Sequence, residues 1–296
     1  MENFDACLKQ YTEEVWQVIQ SYLPPEEGCQ KTVLEAMNYS MKAGGKRLRP
    51  LFLRETYRML GGTGRAADPF MAAIEMIHTF SLVHDDLPCM DNDRYRRGLP
   101  TTWVQYGYDM AVLAGDALYG YAFETAAKAF AMTDDVAAVG RCVGLLARKS
   151  GIYGMIGGQT ADVELTGKPM TAEQLDFIYR EKTGALLEAP VMIGAILAGA
   201  PEDQVETARQ MAACVGMAFQ IQDDILDLTS SQEVLGKPVL SDEKNHKTTY
   251  VSLYGMDRAR KDVEAYSLQA VKALETLPGD HEFLRRLIVS LVTREK

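Results

Sequence analysis

Two clusters of acidic residues are the parts of this sequence best suited to chemistry. They are residues 85–91 (DDLPCMD) and residues 223–227 (DDILD). Each follows an apolar stretch with helical spacing, where closely packed carboxylates repel one another and lose hydration. Divalent cations reverse that cost, and Mg2+ prefers a few carboxylates together with phosphate oxygens and water. The clusters therefore predict a cage for two or three Mg2+ ions and a substrate that carries a diphosphate.

The spacing of the second cluster predicts a stripe of polar groups along one helix. Asp223 and Asp227 are separated by one helical turn, and Gln220 extends the same face. The alternative for either cluster is a solvated helix end or a calcium-binding turn. Two such clusters, with basic motifs between them, favour the Mg2+ cage over that alternative.

The first cluster is interrupted by a proline. Pro88 disfavours helical geometry at Leu87, so we expect the preceding helix to end near Asp86. Asp91 would then return through a turn to face Asp85. The two carboxylates would meet although they do not share a helix.

Short basic groups lie beside these clusters. A Gly-Gly pair leads into Lys46, Arg47 and Arg49, and such a turn at a helix start favours the approach of an anion. Arg96 and Arg97 follow the first cluster, and adjacent guanidinium groups can contact anions on opposite sides of the chain. Taken alone, these groups are typical of a helix cap and a surface pair. Five further candidates for the site stand alone in the sequence: His78, Lys182, Thr183, Lys237 and Lys247. Residues of these types are more often solvated or part of a core.

Helical periodicity recurs along the chain, whereas strand alternation does not. Thr171 and Gln174 form a capping-box pattern. We expect one all-α domain over residues 1–296, with a central active-site cavity. The predicted helices cover residues 4–19, 33–41, 50–60, 68–86, 109–130, 135–151, 171–199, 203–228, 257–276 and 281–293.

Composition excludes several classes of protein. The 296 residues are 47% hydrophobic and carry a formal net charge of −10, which argues against a nucleic-acid partner. The five cysteines are widely spaced without a CxxC pair, as is typical of a reducing compartment. The N-terminus lacks the regions of a signal peptide, and the longest charge-free apolar run, residues 189–201, is too short for a membrane span. We therefore expect a cytoplasmic protein with no membrane span.

The motifs, in their order, resemble those of the trans-prenyl diphosphate synthases, and most of all the bacterial-type farnesyl diphosphate synthases of that family. They are GGKRLRP, IHTFSLVHDDLPCMDND, RRGLPTTW, GGQTADVE, EKTGALL and FQIQDDILD. The resemblance implies the all-α isoprenoid synthase helical bundle, formed by a single polyprenyl synthase domain that is usually a homodimer. Arg94 and Tyr95 depart from the pattern, because relatives often carry a further acidic residue after Asp93. No role is therefore assigned to Asp93.

The resemblance also implies a reaction and a set of site residues. Isopentenyl diphosphate would condense head to tail with allylic diphosphates, dimethylallyl or geranyl, and diphosphate would be released. Mg2+ ions would be held by Asp85, Asp91 and Asp223. The allylic diphosphate would also be bound by Arg96, Lys182 and Lys237. Isopentenyl diphosphate would be bound without metal by Lys46, Arg49, His78 and Arg97. The reacting carbons would be lined by Thr183, Gln220 and Lys247. We expect residues 235–247 to form a lid.

Product length is predicted from the residues that precede the first cluster. Phe80 and Ser81 lie roughly 6–8 Å before Asp85 along a helix. An aromatic residue there resembles the pattern of farnesyl synthases, whereas a smaller residue looks more like a geranylgeranyl diphosphate synthase. We expect farnesyl diphosphate as product. The alternatives are that Phe80 is an ordinary core residue and that the product is geranylgeranyl diphosphate.

Two further classes are less favoured. Terpene cyclases of the same fold usually carry an Asn/Ser/Glu-type second metal motif, whereas this chain carries DDILD at residues 223–227. Non-catalytic subunits of heteromeric synthases typically lose one acidic motif, and both are intact here.

Overall fold

The computed structural model describes residues 4–229 and 248–292, and its architecture is all-α, as predicted. Two compact units are formed. The first takes in the described residues of Met1–Arg54 and Gly64–Val143, and the second takes in those of Glu55–Thr63 and Gly144–Lys296. That residues 1–296 act as one domain stays a prediction. No helix in the described ranges is both long and apolar enough to cross a membrane.

Fourteen α-helices are present in the described residues. In order they are α1 (Phe4–Gln20), α2 (Lys31–Lys42), α3 (Leu48–Met59), α4 (Asp68–Asp85), α5 (Thr102–Tyr106), α6 (Tyr108–Ala127), α7 (Val136–Ser150), α8 (Met155–Leu165), α9 (Ala172–Ile178), α10 (Ala185–Leu197), α11 (Glu202–Thr229), α12 (Tyr250–Tyr254), α13 (Met256–Glu275) and α14 (Glu282–Val292). A 3-10 turn (Lys128–Ala131) follows α6, and a π-helical segment (Tyr179–Gly184) joins α9 to α10.

Helix α4 is the centre of the first unit. It starts at Asp68 with a proline in its first turn, and its side chains from Phe70 to Ile77 are all buried. It packs against α6, which offers small side chains such as Ala111 and Ala114, and also against α1 and α2. Burial on nearly every side fixes the axis of α4. The first acidic cluster is thereby held at the carboxyl end of a rigid helix.

Helix α11 has the same role in the second unit. It packs against α13 and α10, and Ile221 and Ile225 lie in a core that also contains Tyr179 and Val263. The second acidic cluster occupies the last two turns described for this helix.

The predicted helix over residues 171–199 is wrong in one respect, since the structure divides it into α9, the π-helical segment and α10. The capping box of Thr171 and Gln174 is confirmed at its start. The π-helical segment lies against α8 and α11. A Cβ on Gly158 would lie 2.2 Å from the backbone nitrogen of Lys182, and one on Gly216 would lie 3.0 Å from the Cα of Gly184. Such close backbone approach depends on contacts distant in sequence, so local periodicity did not indicate it.

Four short or weakly patterned elements were also not predicted. Helices α5 and α12 have five residues each. Helix α8 lacks a marked apolar stripe and contains two adjacent glycines. A two-residue antiparallel hairpin forms between β1 (Tyr95–Arg96) and β2 (Leu99–Pro100). Strands of this length are too short to show alternation.

Candidate active site

The first acidic cluster folds back on itself as the proline predicts. Helix α4 ends at Asp85, and the backbone N–H of Asp91 donates a hydrogen bond to the Asp85 carbonyl oxygen at 2.9 Å. The N–H of Asn92, whose φ is 55°, donates to the Leu87 carbonyl oxygen at 3.1 Å. Asp85 is half-buried and Asp91 is exposed. The turn thus holds these two residues together at the helix end.

The middle aspartate of this cluster, Asp86, forms an ion pair with Arg96. Asp86 is 3% exposed and accepts hydrogen bonds from Arg96 Nε, at 2.8 and 2.9 Å, and from Arg96 Nη2, at 2.6 Å. Burial raises the pKa of Asp86, and the Arg96 hydrogen bonds oppose that rise. Asp93 Oδ2 lies 3.8 Å from the same guanidinium. Asp86 therefore holds Arg96 beside Asp85. Sequence reasoning gave Asp86 no role, although a carboxylate between two candidate ligands and close to an arginine pair was a usable signal.

The β1–β2 hairpin separates the two adjacent arginines. Its turn residues are Arg97 and Gly98, with φ values of 53° and 78°. Two successive left-handed residues form the type I′ turn that suits a two-residue hairpin. Arg96 in β1 binds Asp86, while Arg97 Nη1 donates to the Gly44 carbonyl oxygen. The two guanidinium groups thus have different partners, a carboxylate and a backbone carbonyl oxygen. That they bind two different anionic ligands stays a prediction.

Cationic groups gather at the glycine-led turn before α3. Burial lowers the pKa of Arg49 to about 10, an effect that the charge of Glu75 opposes. Burial also holds the pKa of His78 well below its usual value, and Arg49 and then Arg97 add to that effect. The His78 imidazole is consequently neutral near pH 7. Lys46, in the same turn, is exposed. An arrangement of several positive charges around one place favours an anionic ligand.

The product-length candidates lie on α4 before the first cluster. The half-buried ring of Phe80 is 4.9 Å from the ring of His84 and 4.9 Å from that of Tyr119 on α6. Tyr119 in turn contacts Phe123 at 5.2 Å. The hydroxyl of Ser81 donates to the His78 carbonyl oxygen at 2.9 Å. Phe80 thus lies between His84 and Tyr119 in an aromatic row that joins α4 to α6.

In the second unit, Gln220, Asp223 and Asp227 follow one another along α11. Gln220 and Asp223 are half-buried, whereas Asp227 is 4% exposed. Their predicted helical spacing is confirmed.

The remaining aspartate of this cluster, Asp224, accepts hydrogen bonds from two other elements of the second unit. Asp224 Oδ2 accepts hydrogen bonds from the Tyr179 hydroxyl and, at 2.6 Å, from the backbone N–H of Tyr250. The carboxylate therefore joins the π-helical segment, α11 and the start of α12. Sequence reasoning missed this function, because Tyr179, Asp224 and Tyr250 lie far apart in the chain.

The π-helical segment carries Lys182 and Thr183, both half-buried. Lys182 Nζ lies 2.5 Å from Asp162 Oδ2 on α8. Gly158, one turn before Asp162, allows this approach because it has no side chain. Asp162, in the GGQTADVE motif, is therefore a further residue of this region that had been given no role. Lys237, Lys247 and the predicted lid over residues 235–247 all lie outside the described residues.

The donor chemistry of the first cluster fits a magnesium ion. Residues 4–229 and 248–292 contain no three His, Cys, Asp or Glu side chains gathered closely enough to hold a metal ion by themselves. Mg2+ commonly takes only one or two carboxylates and completes its shell with substrate phosphates and water. Asp85 and Asp91, joined by their backbone hydrogen bond, offer such a pair.

Known proteins share both the sequence and the fold of this chain. Residues 30–281 match the family model for polyprenyl synthetase. A farnesyl diphosphate synthase from Geobacillus stearothermophilus is 42% identical over 268 residues, 90% of each chain. A chloroplastic geranylgeranyl pyrophosphate synthase from Capsicum annuum is 46% identical over 242 residues, which cover 81% of this chain but only 65% of that relative. The crystal structure of an FPP/GFPP synthase from Zymomonas mobilis has a TM-score of 0.87 and 33% identity, with 98% of this chain and 99% of that one covered.

Proposed function

We propose that this chain, which belongs to the polyprenyl synthetase family, condenses isopentenyl diphosphate with dimethylallyl and geranyl diphosphate to give farnesyl diphosphate. One observation carries the proposal: charged side chains of the first unit gather in two places that differ in kind. At one, the Asp85–Asp91 pair lies beside Arg96, which suits a diphosphate bridged by metal. At the other, Arg49 and Arg97 form a cationic group, which suits a diphosphate bound without metal.

The roles of the acidic residues follow from the leaving group. Asp85, Asp91 and Asp223 would hold two or three Mg2+ ions. Bound Mg2+ supplies a Lewis acid that neutralises the departing diphosphate of the allylic substrate. Arg96, kept charged and in place by Asp86, would contact the same diphosphate, as would Lys182. Lys237 is assigned to this group from the family resemblance alone.

Polar groups near the reacting carbons would stabilise the positive charge that develops when the allylic C–O bond breaks. The Thr183 hydroxyl and the Gln220 carbonyl oxygen are the candidates, together with nearby backbone dipoles. Lys247 would only line the reacting carbons, since its positive charge cannot stabilise a cation. Isopentenyl diphosphate, held by Lys46, Arg49, His78 and Arg97, would attack through its double bond. Water has to be excluded, because it would react with the cation.

Phe80 supports a fifteen-carbon product. Its ring is half-buried, lies before the proposed metal ligand Asp85 on α4, and contacts Tyr119. That contact would limit the space for a longer product in this direction. The twenty-carbon alternative also has support, because several relatives at 45–46% identity are geranylgeranyl pyrophosphate synthases.

Primer selectivity tests the proposal. Purified protein is incubated with Mg2+, isopentenyl diphosphate and one of three primers (dimethylallyl, geranyl or farnesyl diphosphate), and the dephosphorylated products are sized by chromatography. We expect fifteen-carbon product from the first two primers and no extension of the third. Efficient extension of farnesyl diphosphate would identify a geranylgeranyl diphosphate synthase. A lack of product from all three primers would refute the proposed activity.

A further inference from the structure

Arg47 is the basic residue of the glycine-led turn that faces the protein interior. Its side chain is 4% exposed, and its Nη1 donates to Glu75 Oε1 at 2.6 Å while its Nη2 donates to the Met41 carbonyl oxygen at 2.7 Å. The guanidinium also lies 4.3 Å from the centre of the Trp16 ring. Every polar contact of this group is thus directed away from solvent. A substrate diphosphate can therefore reach the exposed Lys46 from solvent, but not the buried guanidinium of Arg47.

The backbone of this turn is held in an unusual conformation. Arg47 has a φ of 49°, and Gly44 and Gly45 have φ values of 90° and 128°. A left-handed residue that carries a side chain is unfavourable and persists where surrounding contacts fix it. Those contacts come from two sides. Glu75 on α4 binds Arg47, and the Arg97 guanidinium lies where a Cβ on Gly45 would meet it at 2.6 Å.

Glu75 is a carboxylate placed among cations. It is 2% exposed, and its Oε2 atom is buried without a hydrogen-bond partner among the described residues. The Nε atom of Arg49 is likewise buried without such a partner. A buried carboxylate is costly unless nearby positive charge compensates for its lost hydration. Arg47 supplies that charge through a direct hydrogen bond, and Arg49 supplies it at longer range.

We propose that the buried Arg47–Glu75 pair positions the cations that bind isopentenyl diphosphate, without touching that substrate itself. The inference rests on the proposed function. By anchoring Arg47 to α4, Glu75 fixes the backbone between Lys46, in the turn, and Arg49, in the first turn of α3. It also fixes that turn relative to His78, which follows Glu75 by one turn on the same helix. Arg47 and Glu75 are positioning residues for one of the two substrates.

A charge-neutral double substitution, Arg47→Met with Glu75→Leu, isolates positioning from electrostatics. Removing one positive and one negative charge leaves the net charge of the pocket unchanged. Apolar replacement of a buried ion pair is often neutral or stabilising, so the fold is expected to survive. We expect the KM for isopentenyl diphosphate to rise about tenfold, as when one charged hydrogen bond is misaligned. The KM for geranyl diphosphate and kcat should stay within about twofold of wild type.

Glu75→Gln gives a second test with opposite predictions. If the charge of Glu75 merely weakened the attraction for an anion, its removal would lower the KM for isopentenyl diphosphate. Positioning predicts a rise, because Arg47 loses its charged partner. The matched control is Lys149→Met with Glu188→Leu, which replaces a partly buried pair, 2.5 Å apart, in the second unit. This control should change the melting temperature without a selective effect on isopentenyl diphosphate.

The outcomes separate the two proposals. A wild-type protein that consumes no isopentenyl diphosphate would overturn the proposed function and this inference with it. An active wild type and a folded double variant with unchanged KM for isopentenyl diphosphate would overturn the positioning role alone. If circular dichroism shows that the double variant does not fold, Glu75→Gln decides, and an unchanged or lower KM in that variant would overturn the positioning role.

Discussion

Truncation of Phe80 to alanine is expected to lengthen the product. The ring lies roughly 7–8 Å before Asp85 along α4, at about 1.5 Å per residue. It closes this direction by packing 4.9 Å from Tyr119. Removing the ring opens space for at least one further five-carbon unit. It leaves the carboxylates and cations of the site unchanged, so we expect isopentenyl diphosphate to be consumed and products of twenty or more carbons to appear.

The same substitution should reduce stability by a moderate amount. A fully buried Phe→Ala change typically costs about 3–5 kcal/mol. Phe80 is only half-buried, so we expect a loss of roughly 2–3 kcal/mol, which includes its two aromatic contacts. Urea denaturation followed by circular dichroism would measure this loss. Product distribution, and not total activity, is the informative quantity, because partial unfolding lowers activity without changing product length.

Phe70→Ala is the matched control for this experiment. Phe70 lies on the same helix and is 0% exposed, so its truncation should cost more stability but leave the product at fifteen carbons. If folded Phe80→Ala protein still stops at fifteen carbons, Phe80 is an ordinary core residue and another group limits the product. If Phe70→Ala lengthens the product equally, the change reflects loosening of α4 and not the removal of a cavity floor.

Three further predictions concern the metals, the arginine pair and the second unit. Chelation of Mg2+ should abolish turnover, and full activity in excess chelator would refute the metal site. Asp85→Ala should lower kcat by several orders of magnitude, since each 1.4 kcal/mol of lost transition-state stabilisation costs about tenfold in rate. Arg97→Ala should raise mainly the KM for isopentenyl diphosphate and Arg96→Ala mainly that for geranyl diphosphate, each roughly 10- to 150-fold; equal effects on both substrates would contradict this assignment. Tyr179→Phe removes a hydrogen bond to buried Asp224 and should lower the free energy of unfolding by about 1–3 kcal/mol in urea denaturation; unchanged stability would show that this bond contributes little.

The sequence was sufficient to predict features that depend on local chemistry. Pro88 led to the correct end of α4 and the return of Asp91 to Asp85. Arg96 and Arg97 have different partners in the structure, but their assignment to two different diphosphates stays a prediction. Long amphipathic or apolar helices were found for the same reason, since their periodicity is a local property.

The features that were missed depend on contacts between distant residues. Asp86, Asp162 and Asp224 each hold a group brought to them by the fold. Only Asp86 had a local signal, the nearby arginine pair, whereas the local sequences of Asp162 and Asp224 do not indicate their partners. The π-helical segment forms where α8 and α11 approach its backbone at Gly158 and Gly216. Tertiary packing decides such geometry, so one sequence read by periodicity gives no indication of it.

The central claim is that this chain joins an allylic group to isopentenyl diphosphate with the help of Mg2+. Its most direct test is to measure diphosphate release from geranyl diphosphate with isopentenyl diphosphate present, with it omitted, and with Mg2+ omitted. We predict one diphosphate released for each isopentenyl diphosphate consumed, and release only when both substrates and the metal are present. Equal release without isopentenyl diphosphate would instead indicate a cyclase or a hydrolase, and no release under any condition would contradict the claim altogether.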